Sequence, residues 1–482
     1  MIALLLVYFF SLITALLILY SGYQLYLSLV CSQQLKAQRL QSANSQEPAR
    51  LADGSLPLVT FQIALFNEGH VVDTLFSSLL KINYPKQLLE IQLLDDSTDA
   101  SIEINAEWVR RFNAFGFEAV HLRRQHRKGF KAGALNEGLK KAKGAYIALF
   151  DADFNLDPYW VVRSLEGFEE PSIAAVQSRW TYSNATQNRI TQLQVLGLNH
   201  HFINEHIARD HLNLMSTFNG TAALWKKSVI EQIGGFSTQT LTEDLNLAYR
   251  AQLEGYRISY AAHITAESEL PATASAYFTQ QFRWNKGAAE NFRLLRARLS
   301  RLRNGSVRFH AFMHLLGSTF YLASFLLLIV GLSALLIPFS ASQLHCMGLI
   351  VNGLTLSALF LGVAIYRAER AANTKTHLLA WIVNYFLYLT LSAGMSYMNA
   401  RAVVEGHLGI QSAFVRTPKI KQFKERLKTR LKRFRLVEGL IALLAWTAFA
   451  LDIQTASFSL IGLHLFTAVA FSWVCLSSWR QA

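Results

Sequence analysis

Two long runs without a single charged side chain constrain this chain more than any other feature. None occurs from Met1 to Leu35, and none in the 58 residues from Phe309 to Tyr366. About 20 apolar residues span a bilayer as a helix, so the first run provides one pass and the second provides two. Pro338, with polar Ser340, Ser342 and Gln343, marks the turn between those two. A third uncharged run covers Thr376 to Ala400. The last apolar stretch, Leu436 to Trp479, is broken only by Glu438 and Asp452 and reads as a hairpin. The first run lacks a basic start and is too long for a signal peptide's apolar core, which makes it an anchor.

Charge follows the same division. The net charge is +14, from 46 Lys and Arg against 32 Asp and Glu. Much of the excess lies beside the apolar runs, where basic residues mark the cytoplasmic side. Residues Arg416 to Arg435 carry ten basic side chains against the single acid Glu425. No nucleic-acid-binding module accompanies this charge, so membrane lipids, not nucleic acid, are its expected partner. Cys31, Cys346 and Cys475 lie in or beside apolar runs and have neither metal-ligand nor disulfide spacing.

Between the anchor and the second run, residues 56 to 297 have a different texture. Leu58–Leu65, Glu90–Leu94 and Ala145–Phe150 are short apolar runs that predict buried strands. Helical patterns separate them, at Val71–Leu80 and Ala134–Lys141. Such alternation predicts an α/β, Rossmann-like fold with a mixed, mostly parallel sheet. Ligands of these sheets bind beyond the carboxyl ends of the strands. Asp95, Asp96, Asp151 and Asp153 fall just past two of those ends.

Each cluster has a chemistry. Asp151-Ala152-Asp153 can hold a hard divalent cation that also grips phosphate oxygens. Asp244, after Glu243, opens an amphipathic helix, where a carboxylate is placed to act as a general base toward a sugar hydroxyl. Gln280, Arg283 and Trp284 share one helix face. Arg neutralises a diphosphate, and Trp offers a flat surface to a sugar ring. Lys128 to Asn136 joins basic groups and glycines to a helix start, which suits a phosphate or ribose contact. Each cluster alone also has an ordinary reading as a cap, turn or interfacial pair; the ordered combination is the specific signal.

The order Asn67-Glu68, Asp95-Asp96-Ser97-Thr98-Asp99, Lys131 to Asn136, Asp151 to Asp153, Phe218 to Ala222, Thr242 to Asp244 and Gln280 to Trp284 resembles glycosyltransferase family 2. It is most similar to the cellulose synthase-like A and C branch, which makes mannans and the glucan backbone of xyloglucan. The resemblance covers residues 56 to 435. It implies a GT-A nucleotide-sugar fold, a Mg²⁺ or Mn²⁺ ion and inversion to a β-linkage. It implies that Asn67, Glu68, Asp95, Asp96, Lys131, Asp151 and Arg283 contact the nucleotide sugar and that Asp151 and Asp153 hold the metal. Asp244, with Glu243 beside it, would be catalytic, and Gln280, Arg283 and Trp284 would bind the acceptor. Phe414 to Lys419 resembles the gating loop of cellulose synthases, with Arg416 in place of the usual Val and Pro418 before Lys419. Thr417 and Lys419 of that loop would also meet the donor.

The expected organisation is an anchor (1–35), a linker (36–55) and a catalytic domain (56–297). An interfacial segment with two membrane helices follows (298–366). Next come an interfacial helix, the gating-like loop and the basic stretch (367–435), then a terminal hairpin (436–482). The catalytic domain must be cytosolic to meet nucleotide sugars, in a bacterial inner membrane or a Golgi or plasma membrane. Basic residues at Arg367 to Lys375 and Arg416 to Arg435 mark both flanks of 376–400 as inside, so that run is expected not to cross. The expected function is a processive synthase extruding a β-linked polysaccharide, with UDP-glucose preferred as donor over GDP-mannose. The alternative is a single-addition transferase to a lipid acceptor, ceramide or polyprenyl phosphate. A decayed, non-enzymatic scaffold does not fit, because every catalytic position is filled.

Overall fold

A computed structural model describes residues 1–41, 56–372, 377–412 and 428–479. The gating-like segment, with Thr417 and Lys419, lies outside the described residues.

The catalytic region is built on one eight-stranded sheet. Its strands are β1 (Val59–Leu65), β2 (Leu89–Asp95), β3 (Glu118–Arg123), β4 (Tyr146–Phe150), β5 (Asn155–Leu156), β6 (Ile173–Tyr182), β7 (Ala223–Lys226) and β8 (Arg257–Ser268). The spatial order is β3-β2-β1-β4-β7-β6-β8-β5. β1 runs parallel to β2 and β4, β2 to β3, and β6 to β8. β7 runs antiparallel between β4 and β6, and β5 is an antiparallel edge on β8. The three strands expected from the sequence are β1, β2 and β4, and the sheet is mixed and mostly parallel.

Alternation along β4 explains how both faces are covered. Ala148 and Phe150 pack with Phe61, Phe76, Phe112 and Trp160 on one side. Ile147 and Leu149 pack with Leu135, Trp225, Ile230 and Leu247 on the other. Side chains two apart share a face of a strand, so one short run feeds two cores. β1 and β2 put polar groups on the second face, where Thr60 and Gln62 bond Glu90 and Gln92 of the neighbouring strand. Gly138 of the covering helix Phe130–Lys141 fits over them, because a Cβ there would lie 2.7 Å from Gln62 Nε2.

The apolar runs are helical. Among the described residues, Ile2–Gln34, Ala341–Ala371 and Leu436–Gln454 are each long and apolar enough to cross a bilayer. The helix pair Gly305–Leu315 and Thr319–Leu335 bends by 56°, and the pair Leu378–Gly394 and Ser396–Leu408 bends by 51°. Counting each bent pair as one span gives five. The run 376–400 is therefore not one straight helix. Its first part packs on the terminal helix Ile461–Trp479, where Gly394 lets Ala470 and Val474 approach. The second helix of the bent pair, Ser396–Leu408, packs on the helix Ala274–Leu299 of the catalytic region, where Gly406 meets Ala289.

A polar junction fastens the sheet domain to the membrane helices. The π-helical turn His200–Glu205 sits at its centre. Gln24 of the first helix donates to Glu205 at 2.9 Å and bonds His200 at 3.1 Å. Asn204 donates to the Ala364 carbonyl at 2.7 Å. Glu205 also faces the buried Arg209 at 3.6 Å and bonds His201 at 2.7 Å. Removing one partner from a buried charged pair typically costs about 3–5 kcal/mol, because the other is left uncompensated. Glu205→Gln is therefore expected to lower the apparent melting temperature in detergent markedly. Glu107→Gln, in a surface pair with Arg110, should leave it unchanged, and equal melting of the two variants would contradict a junction held by charge.

Candidate active site

Beyond the carboxyl ends of β1 and β4 lies a cleft that gathers most of the motifs. Asp96, Lys131, Asp151, Asp153, Glu243, Asp244, Gln280, Arg283 and Trp284 all line it. Local backbone explains the placement. Phe150 ends β4, so Asp151 leaves the sheet at its first free position. Thr221 holds it there by accepting from the Asp151 N–H at 2.9 Å. Asp153 is fixed by the Ser268 hydroxyl, which donates to it at 3.1 Å.

Lys131 ties two segments together. The turn before it adopts left-handed backbone at Gly129 (φ 73°) and Phe130 (φ 50°). From the first turn of that helix, Lys131 Nζ donates to Asp151 Oδ1 at 2.6 Å and to the Gly220 carbonyl at 2.9 Å. Burial alone would lower its pKa. The carboxylates of Asp151 and Glu243 outweigh burial, so the net shift is upward and the ammonium stays charged.

Asp244 lies in the first turn of the helix Glu243–Leu253. Its carboxyl is pushed up to about 7, first by burial and then by the neighbouring Glu243 carboxylate. A backbone bond from Leu245, with Lys131 and Arg283, pulls the other way without cancelling that rise. A carboxyl poised near neutrality is suited to proton transfer at physiological pH. The close approach of Gly220 shapes its surroundings, since a Cβ on Gly220 would lie 2.6 Å from Asp244 Oδ2.

Other expected residues are placed differently. Asp95, expected at the nucleotide together with Asp96, is turned into the protein and only 1% exposed. It accepts from Asn105 at 3.0 Å and from the Ser97 N–H at 2.8 Å, and it meets His121 at 2.8 Å. Asp96, the first residue past β2, is the one that reaches the cleft, where Arg124 and Arg127 face it. Asn67 and Glu68 do not line the cleft. Asn67 braces the following turn, donating from its N–H to Ser97 at 2.9 Å and accepting from the Thr98 N–H at 2.8 Å.

Other residues also line the cleft. Arg127 stacks 3.5 Å above the Phe66 ring. Trp180 and Tyr182 enter from β6. Asn219 also lines the cleft and bonds His201 and His206 behind it. A basic residue and two aromatics on separate segments form no local pattern in sequence.

The donor set suits a hard divalent cation. Asp151 and Asp153 supply two carboxylates on one turn, and Mg²⁺-type sites commonly use one or two carboxylates, the remaining ligands being substrate phosphate and water. Among the described residues no group of three or more His, Cys, Asp or Glu forms a complete protein cage.

Residues 57–287, just under half of the chain, match the family model described as "Glycosyltransferase like family 2". Among curated proteins, the chain is 35% identical over 276 residues to glucomannan 4-beta-mannosyltransferase 2 of Arabidopsis thaliana, covering 56% of this chain and 51% of that one. It is 38% identical over 249 residues to the probable glucomannan 4-beta-mannosyltransferase 7 of Oryza sativa subsp. japonica, covering 50% and 42%. The chain thus spans about half the length of the curated relatives it matches. In fold it is similar to a mannosyltransferase from Pyrobaculum calidifontis, solved in complex with GDP-Man and Mn²⁺. That likeness has a TM-score of 0.50 at 18% identity and covers 76% of this chain and all of that one. The sheet domain has the GT-A-like architecture.

Gly220→Ala tests the packing of the cleft floor. The added methyl strains a backbone at φ 81° and displaces the Asp244 carboxylate. A misplacement of about 1 Å typically costs around 10²-fold in turnover. That loss is expected with an unchanged circular dichroism spectrum; full turnover would mean that Gly220 does not set the position of Asp244.

Proposed function

We propose that this chain is a membrane-bound, inverting β-mannosyltransferase that uses GDP-mannose to extend a β-1,4-linked, mannan-type polysaccharide. The observation that carries the chemistry is the convergence of Asp151, Asp153, Asp244, Arg283 and Trp284 on one cleft, with the Asp244 carboxyl held near 7. The donor preference moves from UDP-glucose to GDP-mannose because the curated relatives are named as 4-beta-mannosyltransferases.

In this reading Asp244 takes the proton from the acceptor's hydroxyl. That oxygen attacks the anomeric carbon, and the bond from that carbon to the diphosphate oxygen breaks. The nucleoside diphosphate leaves with the bonding electrons, and the configuration inverts. Trp284 offers its face to the acceptor sugar, and Arg283 balances charge on the departing diphosphate. Asp151 and Asp153 would hold Mg²⁺ or Mn²⁺, which when bound neutralises the diphosphate. Lys131 orders the Asp151 turn against the Gly220 loop.

The decisive assay uses the protein purified in lipid nanodiscs with radiolabelled GDP-mannose or UDP-glucose, and glycanases of known linkage to digest the product. A β-mannanase-sensitive polymer from GDP-mannose is expected. A β-glucan from UDP-glucose overturns the donor, and a single-sugar glycolipid overturns the polymerase. Asp244→Asn should lower turnover by about 10²–10⁴-fold and spare donor affinity; retained turnover removes Asp244 as the base.

The pH dependence follows from the sign of the shift. A base acts deprotonated, so turnover should rise with pH through about 7 and level above it. Glu243→Gln removes one cause of the upward shift, so the rise should move to lower pH. An unmoved profile would assign the limb to another group.

The topology proposed with this function keeps the catalytic domain in the cytosol and leaves 376–400 on that side without a full crossing. The bend between Gly394 and Ser396, and the packing of Ser396–Leu408 on the catalytic region, support it. With the three native cysteines replaced, Gln422→Cys should resist an impermeant maleimide applied outside sealed cells. Labelling from outside means that the run crosses.

A further inference from the structure

The residue that opens the base helix is a threonine, a type that commonly caps a helix with its own hydroxyl. Thr242 does not: its side chain makes no cap bond to the helix it precedes. Its hydroxyl oxygen instead accepts from Asn291 Nδ2 at 2.9 Å, and the same amide lies 3.3 Å from the Thr242 carbonyl. Asn291 sits on the helix Ala274–Leu299, two turns after Trp284, and is fully buried.

The contact is built from both sides. Asn291 Oδ1 accepts from Asn246 Nδ2, on the base helix, at 2.8 Å. Glu290 accepts the Leu241 N–H at 2.8 Å, just before the Thr242 turn. Gly287 lies against Thr242, where a Cβ would sit 2.5 Å from the threonine methyl. One face of a single helix therefore carries Arg283 and Trp284 toward the cleft. The next turns grip the segment that bears Asp244.

We infer that Asn291 is a positioning residue for the transfer reaction: through Thr242 it fixes Asp244 in register with Arg283 and Trp284. This rests on the reading of Asp244 as base. The physical logic is rigidity. Two helices that contribute to one reacting geometry must not slide against each other, and a buried amide satisfied on both its oxygen and its nitrogen resists sliding more than apolar contact does. Asn291 touches no reacting atom, so its effect must appear in turnover and not in donor binding.

The test uses full-length protein in nanodiscs. Asn291→Leu removes the amide at similar volume, and Thr242→Val removes the accepting hydroxyl from the other side. Each is expected to lower kcat by about 10²-fold while donor affinity stays at its wild-type value. The double variant should lose little more than either alone, because both remove one contact. A kcat within about threefold of wild type in both single variants overturns the inference. So does a joint fall of kcat, donor affinity and melting temperature in both, which marks a merely structural role. Asp244→Asn, assayed in parallel, keeps the two readings apart. An active Asp244→Asn removes the base itself, whereas an inactive Asp244→Asn beside an active Asn291→Leu removes only the positioning role.

Discussion

Six carboxylates, Asp96, Asp151, Asp153, Glu243, Asp244 and Glu269, line one cleft, and the structure around them is organised by that crowding. Two like charges 4 Å apart repel by about 4 kcal/mol at the effective dielectric of a protein surface. Lys131 is the internal answer. Its ammonium contacts Asp151 directly and feels the charge of Glu243 and Asp244. Burial first, and then the neighbouring Glu243 carboxylate, still raise the pKa of Asp244 against its pull. In the proposed function this cleft would take two kinds of guest, a cation at Asp151 and Asp153 and a hydroxyl whose proton Asp244 accepts. Placing Lys131 there requires left-handed backbone at Gly129 and Phe130, so conformational strain in one turn serves the electrostatics of another.

The membrane junction obeys the same rule by a different route. A sheet domain resting on apolar helices through apolar contact alone would be free to rock. Here Gln24, Asn204 and Arg209 are buried at the contact and Glu205 is half-buried, and each demands a partner in a defined direction. The π-helical turn widens the backbone locally, a device common at functional sites. It also connects to the cleft, because His201 bonds both Glu205 and the cleft residue Asn219. Three hydrogen bonds in series, Gln24 to Glu205, Glu205 to His201 and His201 to Asn219, thus join the first apolar helix to the cleft wall.

Much of this was legible in the chain itself, and the gaps have physical causes. Uncharged runs disclose membrane helices because burying a charge in lipid is costly. β1, β2 and β4 are legible because strands buried on both faces are continuous apolar runs. The second half of the sheet is harder: β6 ends in Arg179-Trp180-Thr181-Tyr182, and β8 interleaves His263, Thr265 and Glu267 among apolar residues. Asp95 and Asp96 are chemically identical neighbours; only the point where β2 ends leaves one on His121 inside the protein and the other in the cleft. Thr242 reads as a cap from sequence, and nothing local announces that Asn291, 49 residues later, uses its hydroxyl.

The helix Ala274–Leu299 draws these strands of argument together. Gln280, Arg283 and Trp284 line the cleft from its first half. Gly287, Glu290 and Asn291 hold the segment before and within the base helix. From the same stretch Lys286, with no exposed surface, pairs with Glu405 at 3.0 Å on the helix Ser396–Leu408, and Glu405 is held in turn by Arg401. Burial of an ammonium is tolerated only where a carboxylate meets it, so this pairing fixes the register of the two helices. A displacement of the helix Ser396–Leu408 would then carry the cleft-lining Gln280, Arg283 and Trp284 together with the segment around Asp244.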